Sequence, residues 1–163
     1  MKVYIKNKII SLGGSSEVLN ENQEPIFEIK GKWISITKKK KMYDMEGKLL
    51  YTIRNKYWTF FCDKSLVIDA EGERVATIKK GKWSWNLKYE ILDTENEMSI
   101  DGKFFSRESK IMRNGTPVAT ISREFSLVKD AFSLEADEKE IPFFTALVIA
   151  FDNLRDKKDK ERD

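Results

Sequence analysis

Histidine is absent from this sequence of 163 residues, and cysteine occurs once, at Cys62. Histidine is the commonest general base and metal ligand, so its absence excludes the Ser-His-Asp and Cys-His forms of catalysis. A single cysteine excludes a disulfide framework and a cysteine-rich zinc site within one chain. We therefore expect a protein with no enzymatic activity, no cofactor and no metal, in a reducing compartment such as the cytoplasm.

Long apolar runs are also scarce. Near the N-terminus, Lys6, Asn7 and Lys8 interrupt the apolar residues, which is unlike a signal peptide. Hydrophobic residues make up 40% of the chain and charged residues 35%, with a net charge of +3. These values are typical of one soluble globular domain, and the charge permits an anionic partner without requiring one.

A hairpin pattern recurs along the chain. Four segments share a polar turn, an apolar strand ending in isoleucine, a basic or polar step and an aromatic residue: "LNENQEPIFEIKGKW", "DMEGKLLYTIRNKYW", "DAEGERVATIKKGKW" and "RNGTPVATISREF". The turns that begin at Asp44 and Asp69 place glycine fourth, which is typical of a type I turn followed by a left-handed glycine. Short strands with regular turns predict an antiparallel sheet closed into a barrel or sandwich, continuing to about Leu134.

The longest apolar segment, "EIPFFTALVIAF", predicts a helix near residues 142–154. Pro142 suits a first helical turn, and the acidic residues before it and basic residues after it suit the helix dipole. Such a helix is apolar on every side and must be surrounded. It is roughly 20 Å long, whereas a bilayer core requires about 30 Å. We therefore expect it in the core of the domain and expect no transmembrane span.

The order of these motifs resembles the LURP-one-related family, in particular its small bacterial-type members. That family belongs to the tubby C-terminal-like group, which includes the phospholipid scramblases. The resemblance is carried by "VYIKNKIISLGG", "DMEGKLLYTI", "DAEGERVATIKKGKW", "RNGTPVATISREFSL" and "FFTALVIAFDNL". It implies a mainly β fold, a closed antiparallel barrel of about twelve strands around a central hydrophobic C-terminal helix. We accordingly expect one domain over residues 1–154 and a charged tail over residues 155–163.

Lysines are the candidate binding residues. The run Lys38, Lys39, Lys40 and Lys41 lies between two predicted strands, and basic residues follow the strands of successive repeats. In a repeated hairpin fold, equivalent positions gather near one rim, beside tryptophans that favour anionic lipid headgroups or single-stranded nucleic acid. Lysines at turns and edge strands also keep sheets soluble, and this alternative stays open. The other candidates for the anion site are Lys79, Lys80 and Lys82, with Lys30, Lys32, Arg54 and Lys56 at similar places in other repeats.

The resulting hypothesis is a non-enzymatic binding or scaffold protein that engages an anionic membrane surface peripherally. The alternative is an interaction module that binds a protein partner through a strand edge or a rim loop. Nucleic-acid binding ranks below both. A scramblase-like activity ranks there too, because the chain has neither a cysteine cluster for acylation nor a calcium loop before the helix.

Overall fold

Twelve strands and one helix form the part of the chain that the structure, a computed structural model, describes. Those residues are 1–6, 15–31, 37–58, 61–80, 89–101, 108–124 and 131–154. The strands are β1 (Lys2–Lys6), β2 (Ser15–Asn20), β3 (Pro25–Gly31), β4 (Lys40–Asp44), β5 (Leu49–Trp58), β6 (Phe61–Asp69), β7 (Arg74–Lys80), β8 (Tyr89–Leu92), β9 (Met98–Asp101), β10 (Glu108–Arg113), β11 (Thr116–Glu124) and β12 (Ala131–Ala136). A 3-10 turn, Glu138–Glu140, leads into the helix α1 (Ile141–Leu154).

The strands form a closed antiparallel barrel in the order β1-β12-β11-β10-β9-β8-β7-β6-β5-β4-β3-β2. Each strand pairs with its sequence neighbours, and β1 closes the barrel against β12, with Val3 opposite Leu134. Every described strand therefore has a partner on both sides and presents no open edge. The expected closed barrel of twelve strands, mainly β with a C-terminal helix, is confirmed.

The inner wall of the barrel is lined by the isoleucines of the repeated hairpins. Because side chains alternate along a strand, Ile53 faces inward while its neighbour Arg54 is exposed. The inward residues and the helix form one hydrophobic cluster. Its repeated members, all buried, are Ile29, Ile53, Ile78 and Ile121.

Helix α1 runs through this cluster and is buried along almost its whole length. It begins at Ile141, one residue before the expected start, because the turn that precedes it continues directly into the helix. Tyr51 packs against Phe143 near the helix start, with ring centroids 6.4 Å apart. Tyr89 packs edge-on against Phe151 near the helix end, at 5.3 Å. Protein, and not lipid, therefore surrounds the apolar segment.

The barrel has two distinct ends. At the turn end lie the tight connections 21–24, 45–48, 70–73, 93–97 and 114–115, together with the entry to the helix. At the opposite end, which we call the helix-exit end, strands β1, β3, β5, β7, β9 and β11 finish and helix α1 ends. A functional surface at one end is therefore separated from the other by the length of the helix, about 20 Å.

Three of the tight turns share one hydrogen-bond pattern. The Asp69 carboxylate accepts a bond from the Glu73 N–H at 2.8 Å, and Gly72 has φ +92°. The Asp44 turn repeats this arrangement with Gly47 at φ +83°. These two predicted turns are confirmed. In the first repeat Asn20 replaces the aspartate, and its side-chain oxygen accepts the bond from the Glu24 N–H. Gln23, and not glycine, occupies the left-handed position there, with φ +65°.

We predict that Gln23→Gly stabilises the protein by about 0.5–1 kcal/mol. A non-glycine residue in the left-handed region costs about 1–2 kcal/mol, part of which the flexibility of glycine in the unfolded chain offsets. Urea unfolding measures the effect, and Gln23→Ala is the control for loss of the side chain. A Gln23→Gly variant no more stable than Gln23→Ala contradicts the prediction.

Candidate anion-binding surface

The lysine run between β3 and β4 is divided by the barrel wall. Lys40, the first residue of β4, faces inward and is 5% exposed. Its ammonium lies 3.7 Å from an Asp152 carboxylate oxygen on the helix. Lys38 donates from Nζ to the main-chain oxygen of Asn153 at 3.0 Å. Lys39 is exposed, and Lys41 is half-buried on the outer face of β4. Lys38 and Lys40 therefore contact the helix, whereas Lys39 and Lys41 lie on the outside of the barrel.

The end of the helix is held by a small polar cluster inside the barrel. Asn55 is buried on β5 and donates from Nδ2 to the Asn153 main-chain oxygen at 3.1 Å. Asn153 donates from its own Nδ2 to the main-chain oxygen of Lys38 at 3.2 Å. The last carbonyl groups of a helix lack partners within the helix and carry negative partial charge. Amide and ammonium donors from the barrel satisfy the carbonyl of Asn153.

Asp152 departs from what the sequence indicates. Its position at the start of a strongly charged stretch groups it with solvated tail charges, but it is 3% exposed. A buried carboxylate requires a nearby counter-charge, which Lys40 provides. The charged tail over residues 155–163 lies outside the described residues.

A row of lysines crosses three neighbouring strands of the described surface. Lys56 on β5 lies directly opposite Lys64 on β6, and Lys64 lies opposite Lys79 on β7. Their inward neighbours Asn55 and Ser65 are buried, so these three side chains point outward. We call Lys56, Lys64 and Lys79 the lysine wall.

Opposed like charges on neighbouring strands are unfavourable. Directly opposite residues have Cβ atoms about 4.5–5.5 Å apart, and like charges at that spacing lower stability. The row ends where Lys79 meets Glu90 on β8, at 3.3 Å. Glu90 therefore lies at one edge of the wall. It can attract an anionic surface at the helix-exit end of the barrel.

A second opposed pair, Lys30 and Lys41, lies on β3 and β4. Lys30 forms an ion pair with Glu28 at 2.8 Å and lies over the Tyr43 ring at 5.2 Å. The hydrogen bond to Glu28 raises the pKa of Lys30. Because Glu28 compensates Lys30, the excess positive charge of this pair is smaller than that of two lysines.

The acidic residues are concentrated at the opposite, turn end. At the described turns they outnumber basic residues in every charged connection except 45–48, where Glu46 and Lys48 balance. Among the described residues, charge is therefore separated along the barrel axis, and such a separation orients a protein before it meets a charged surface. The acids concerned, nearly all exposed, are Glu21, Glu24, Glu46, Glu71, Glu73, Asp93, Glu95, Glu97, Asp137, Glu138 and Glu140.

The turn end also contains a cleft of about 330 Å³, bounded by β7, the 93–97 turn, β10 and the helix start. Its two arginines are already paired with carboxylates. Arg74 lies 3.2 Å from Asp93, and Arg113 lies 2.5 Å from Glu140. The cleft therefore offers no excess positive charge, and it is a poorer candidate for an anion than the lysine wall.

The predicted site residues are placed in different settings. Lys79 is in the lysine wall, Lys39 and Lys41 are on the outside, and Lys38 and Lys40 contact the helix. The structure describes only the backbone of Lys80, within β7. Lys82 lies outside the described residues, as do Trp33, Trp83, Trp85 and the side chain of Trp58.

Two residues of the wall, Lys56 and Lys64, are not among the site residues that the sequence predicts. Lys56 follows its repeat at a place similar to Lys79, so the repeat itself carries a signal for it. Lys64 lies in no equivalent position, and only the strand register brings it between the other two. The repeat pattern therefore does not indicate that Lys64 belongs to the lysine wall.

In the described ranges, no helix is long and apolar enough to cross a membrane. Within the same ranges, no three side chains of Cys, Asp or Glu come together in a way that could hold a metal ion. The acids before the helix have other contacts. The Asp137 carboxylate accepts a bond from the Lys139 N–H at 3.0 Å, and Glu140 contacts Arg113.

These features define a closed antiparallel barrel built around a C-terminal helix. The family model described as LURP-one-related matches residues 1–152. The chain belongs to this family, which confirms the resemblance that its motifs indicate. Among curated proteins, no match to the chain is found.

A solved structure shares the fold. The X-ray structure of a protein from Arabidopsis thaliana is similar with a TM-score of 0.59 and 14% sequence identity. The match covers 91% of this chain and 90% of that one. At this identity the likeness shows the fold alone.

We predict that Lys64→Gln stabilises the protein by about 0.2–1 kcal/mol, because it removes the central charge of an opposed row. The gain shrinks in high salt, which screens charges at the surface. Urea unfolding at low and high salt measures it, with Lys110→Gln on β10 as a control of equal charge change. If Lys64→Gln and Lys110→Gln have equal effects at both salt concentrations, the row carries no repulsion.

We predict that Lys40→Met destabilises the protein by about 3–5 kcal/mol, since it removes the positive charge beside the buried carboxylate of Asp152. Lys41→Met, on the outer face one residue away, is the matched control and has a small effect. The double variant Lys40→Met/Asp152→Asn recovers part of the loss. Equal destabilisation by Lys40→Met and Lys41→Met in urea unfolding is inconsistent with a buried pair.

Proposed function

We propose that this protein is a non-enzymatic, cytoplasmic scaffold that binds an anionic membrane surface peripherally through the lysine wall. The observation that carries the proposal is the register that sets Lys56, Lys64 and Lys79 side by side. Like charges directly opposite each other on neighbouring strands lower stability. An external anionic partner gives the row a favourable role.

The chemistry of the wall suits lipid headgroups. A lysine ammonium is a compact, hydrated point charge on a flexible stem, and it needs no fixed geometry to attract an anion. Near an anionic leaflet each lysine contributes about 1 kcal/mol. Arg54 is exposed on the same strand as Lys56 and adds to the field. The acidic turn end would then point away from the membrane.

Two other partners fit the described surface less well. Single-stranded nucleic acid is bound in a positively charged groove where bases stack on aromatic rings. The lysine wall lies on the outer surface of a barrel and not in a groove. Addition of a partner strand requires an open edge, which the described strands do not have. A protein partner would have to bind at a rim.

We predict that the full chain co-sediments with phosphatidylserine-containing vesicles at low salt and releases as salt rises. The triple variant Lys56→Gln/Lys64→Gln/Lys79→Gln weakens binding by about a hundredfold, the loss expected from about 1 kcal/mol for each lysine. Pure phosphatidylcholine vesicles provide the uncharged comparison.

The control variant is Lys48→Gln/Lys110→Gln/Lys139→Gln, which removes the same total charge from exposed sites outside the wall. It retains most of the binding if position matters. Equal losses in the two triple variants would show that only net charge matters and would reject the wall as the site. No binding by the parent protein would reject the proposed function.

A further inference from the structure

The cleft at the turn end of the barrel, which we call the turn-end cleft, has an apolar floor. Val75 of β7, Met98 of β9 and Phe143 of the helix line it, and its volume of about 330 Å³ is near the lower end of the range for ligand pockets. Phe143 is half-buried and packs against the Phe144 ring, with centroids 5.6 Å apart. An aromatic ring held by its neighbours thus forms part of the cleft.

The charged groups around this floor leave one carboxylate uncompensated. Arg74 lies 3.2 Å from Asp93, and Arg113 pairs with Glu140, so each guanidinium already has a counter-charge. Glu95 also lines the cleft, and its carboxylate makes no hydrogen bond or ion pair with the residues that the structure describes. The turn-end cleft therefore combines apolar surface with an excess of one negative charge.

The surroundings of the cleft add to this negative charge. Glu73 directly precedes Arg74, and Glu97 lies on the same turn as Glu95; both glutamates are exposed. A cleft surrounded by charge of one sign raises the local concentration of ions of the opposite sign. The occupant that the charge favours is therefore a cation.

An arginine side chain matches both parts of the cleft. Its methylene stem packs on apolar surface while its guanidinium stays in water. A guanidinium also stacks on aromatic rings more often than an ammonium does, which suits Phe143. Leu92 is 41% exposed and directly precedes Asp93 of the cleft lining, so apolar surface continues beyond the cleft. The residues beside the arginine in a peptide segment can contact this surface.

We propose that the turn-end cleft binds an arginine-bearing segment of a protein partner, with the arginine stem on Phe143 and its guanidinium beside Glu95. The site goes beyond the proposed membrane contact, because it lies at the opposite end of the barrel from the lysine wall and uses none of its residues. A scaffold with both sites connects a protein partner to a membrane.

Titration of the full chain with a blocked pentapeptide, glycine-leucine-arginine-leucine-glycine, tests this proposal. Backbone amide shifts of Asp93–Met98 and Phe143 report binding by nuclear magnetic resonance, without vesicles. The same peptide with citrulline, the uncharged counterpart of arginine, should bind about threefold to thirtyfold more weakly, the combined loss of an exposed ion pair and a cation–π contact. Added salt should reduce this difference.

Variants test the two parts of the cleft separately. Glu95→Gln should weaken binding of the arginine peptide about twofold to fivefold. Glu97→Gln is the matched control, an equal change of charge on the same turn but outside the cleft lining, and should retain most of the binding. Phe143→Leu removes the ring and keeps an apolar side chain, with a similar expected loss. Urea unfolding of each variant shows whether it is folded.

Three results would overturn the proposal. One is the absence of shifts in Asp93–Met98 when the arginine peptide is added. Another is an equal loss in Glu95→Gln and Glu97→Gln, because general acidity alone would then attract the peptide. The third is equally tight binding of propylguanidinium, the arginine side chain alone, which would indicate a site for a small cation and not for a protein segment.

The proposal can be separated from the membrane function. The triple variant Lys56→Gln/Lys64→Gln/Lys79→Gln should bind the arginine peptide like the parent protein. Failure of vesicle binding leaves the turn-end site standing, and failure of peptide binding leaves the lysine wall standing. A loss of peptide binding in the triple variant contradicts the independence of the two sites.

Discussion

The structure depends on the need to surround an apolar helix on every side. A helix resting on a sheet needs one apolar face, whereas α1 presents apolar side chains all round and requires a closed wall. The hairpins meet this need by pointing one isoleucine after another inward, and closure through β1 and β12 completes the wall. Closure also leaves the described strands without an open edge, so new contacts must form on the outer wall or at the two ends.

Burial of the helix end determines which lysines remain at the surface. Asp152 and Asn153 enter the barrel with the helix, and their charge and carbonyl groups need donors there. Lys38, Lys40 and Asn55 supply them. The same pleat that turns Asn55 inward turns Lys56 outward, opposite Lys64. The same strands thus form the internal polar contacts on one face and the external basic row on the other. The acidic turns lie at the opposite end of the barrel, so the described residues carry negative charge at one end and the basic row near the other.

Much of the fold could be predicted from the sequence because its signals are local. The Asp44 and Asp69 turns and the apolar segment before the charged tail each fall within a few residues, and each is confirmed. Strand number and closure came from the family resemblance, since no local pattern encodes them. The site was harder to predict, because the position of Lys64 between two other lysines depends on strand register. The roles of Lys40 and Asp152 depend on residues that are far apart in the chain but meet inside the barrel. Because the residues of Lys38–Lys41 are identical, the sequence does not indicate which of them contact the helix and which lie on the outside.

The central claim is that the helix stays inside the barrel while the outer wall provides the contact surface. The most direct measurement is the nuclear Overhauser effect between the rings of Tyr51 and Phe143, which lie 6.4 Å apart between β5 and the first turn of the helix. It would be recorded for the free protein and for the protein with phosphatidylserine-containing bicelles. The account predicts the same cross-peaks in both samples, since the barrel keeps this part of the helix. Loss of the cross-peaks with bicelles, with contacts from Phe143 to lipid chains in their place, would contradict it.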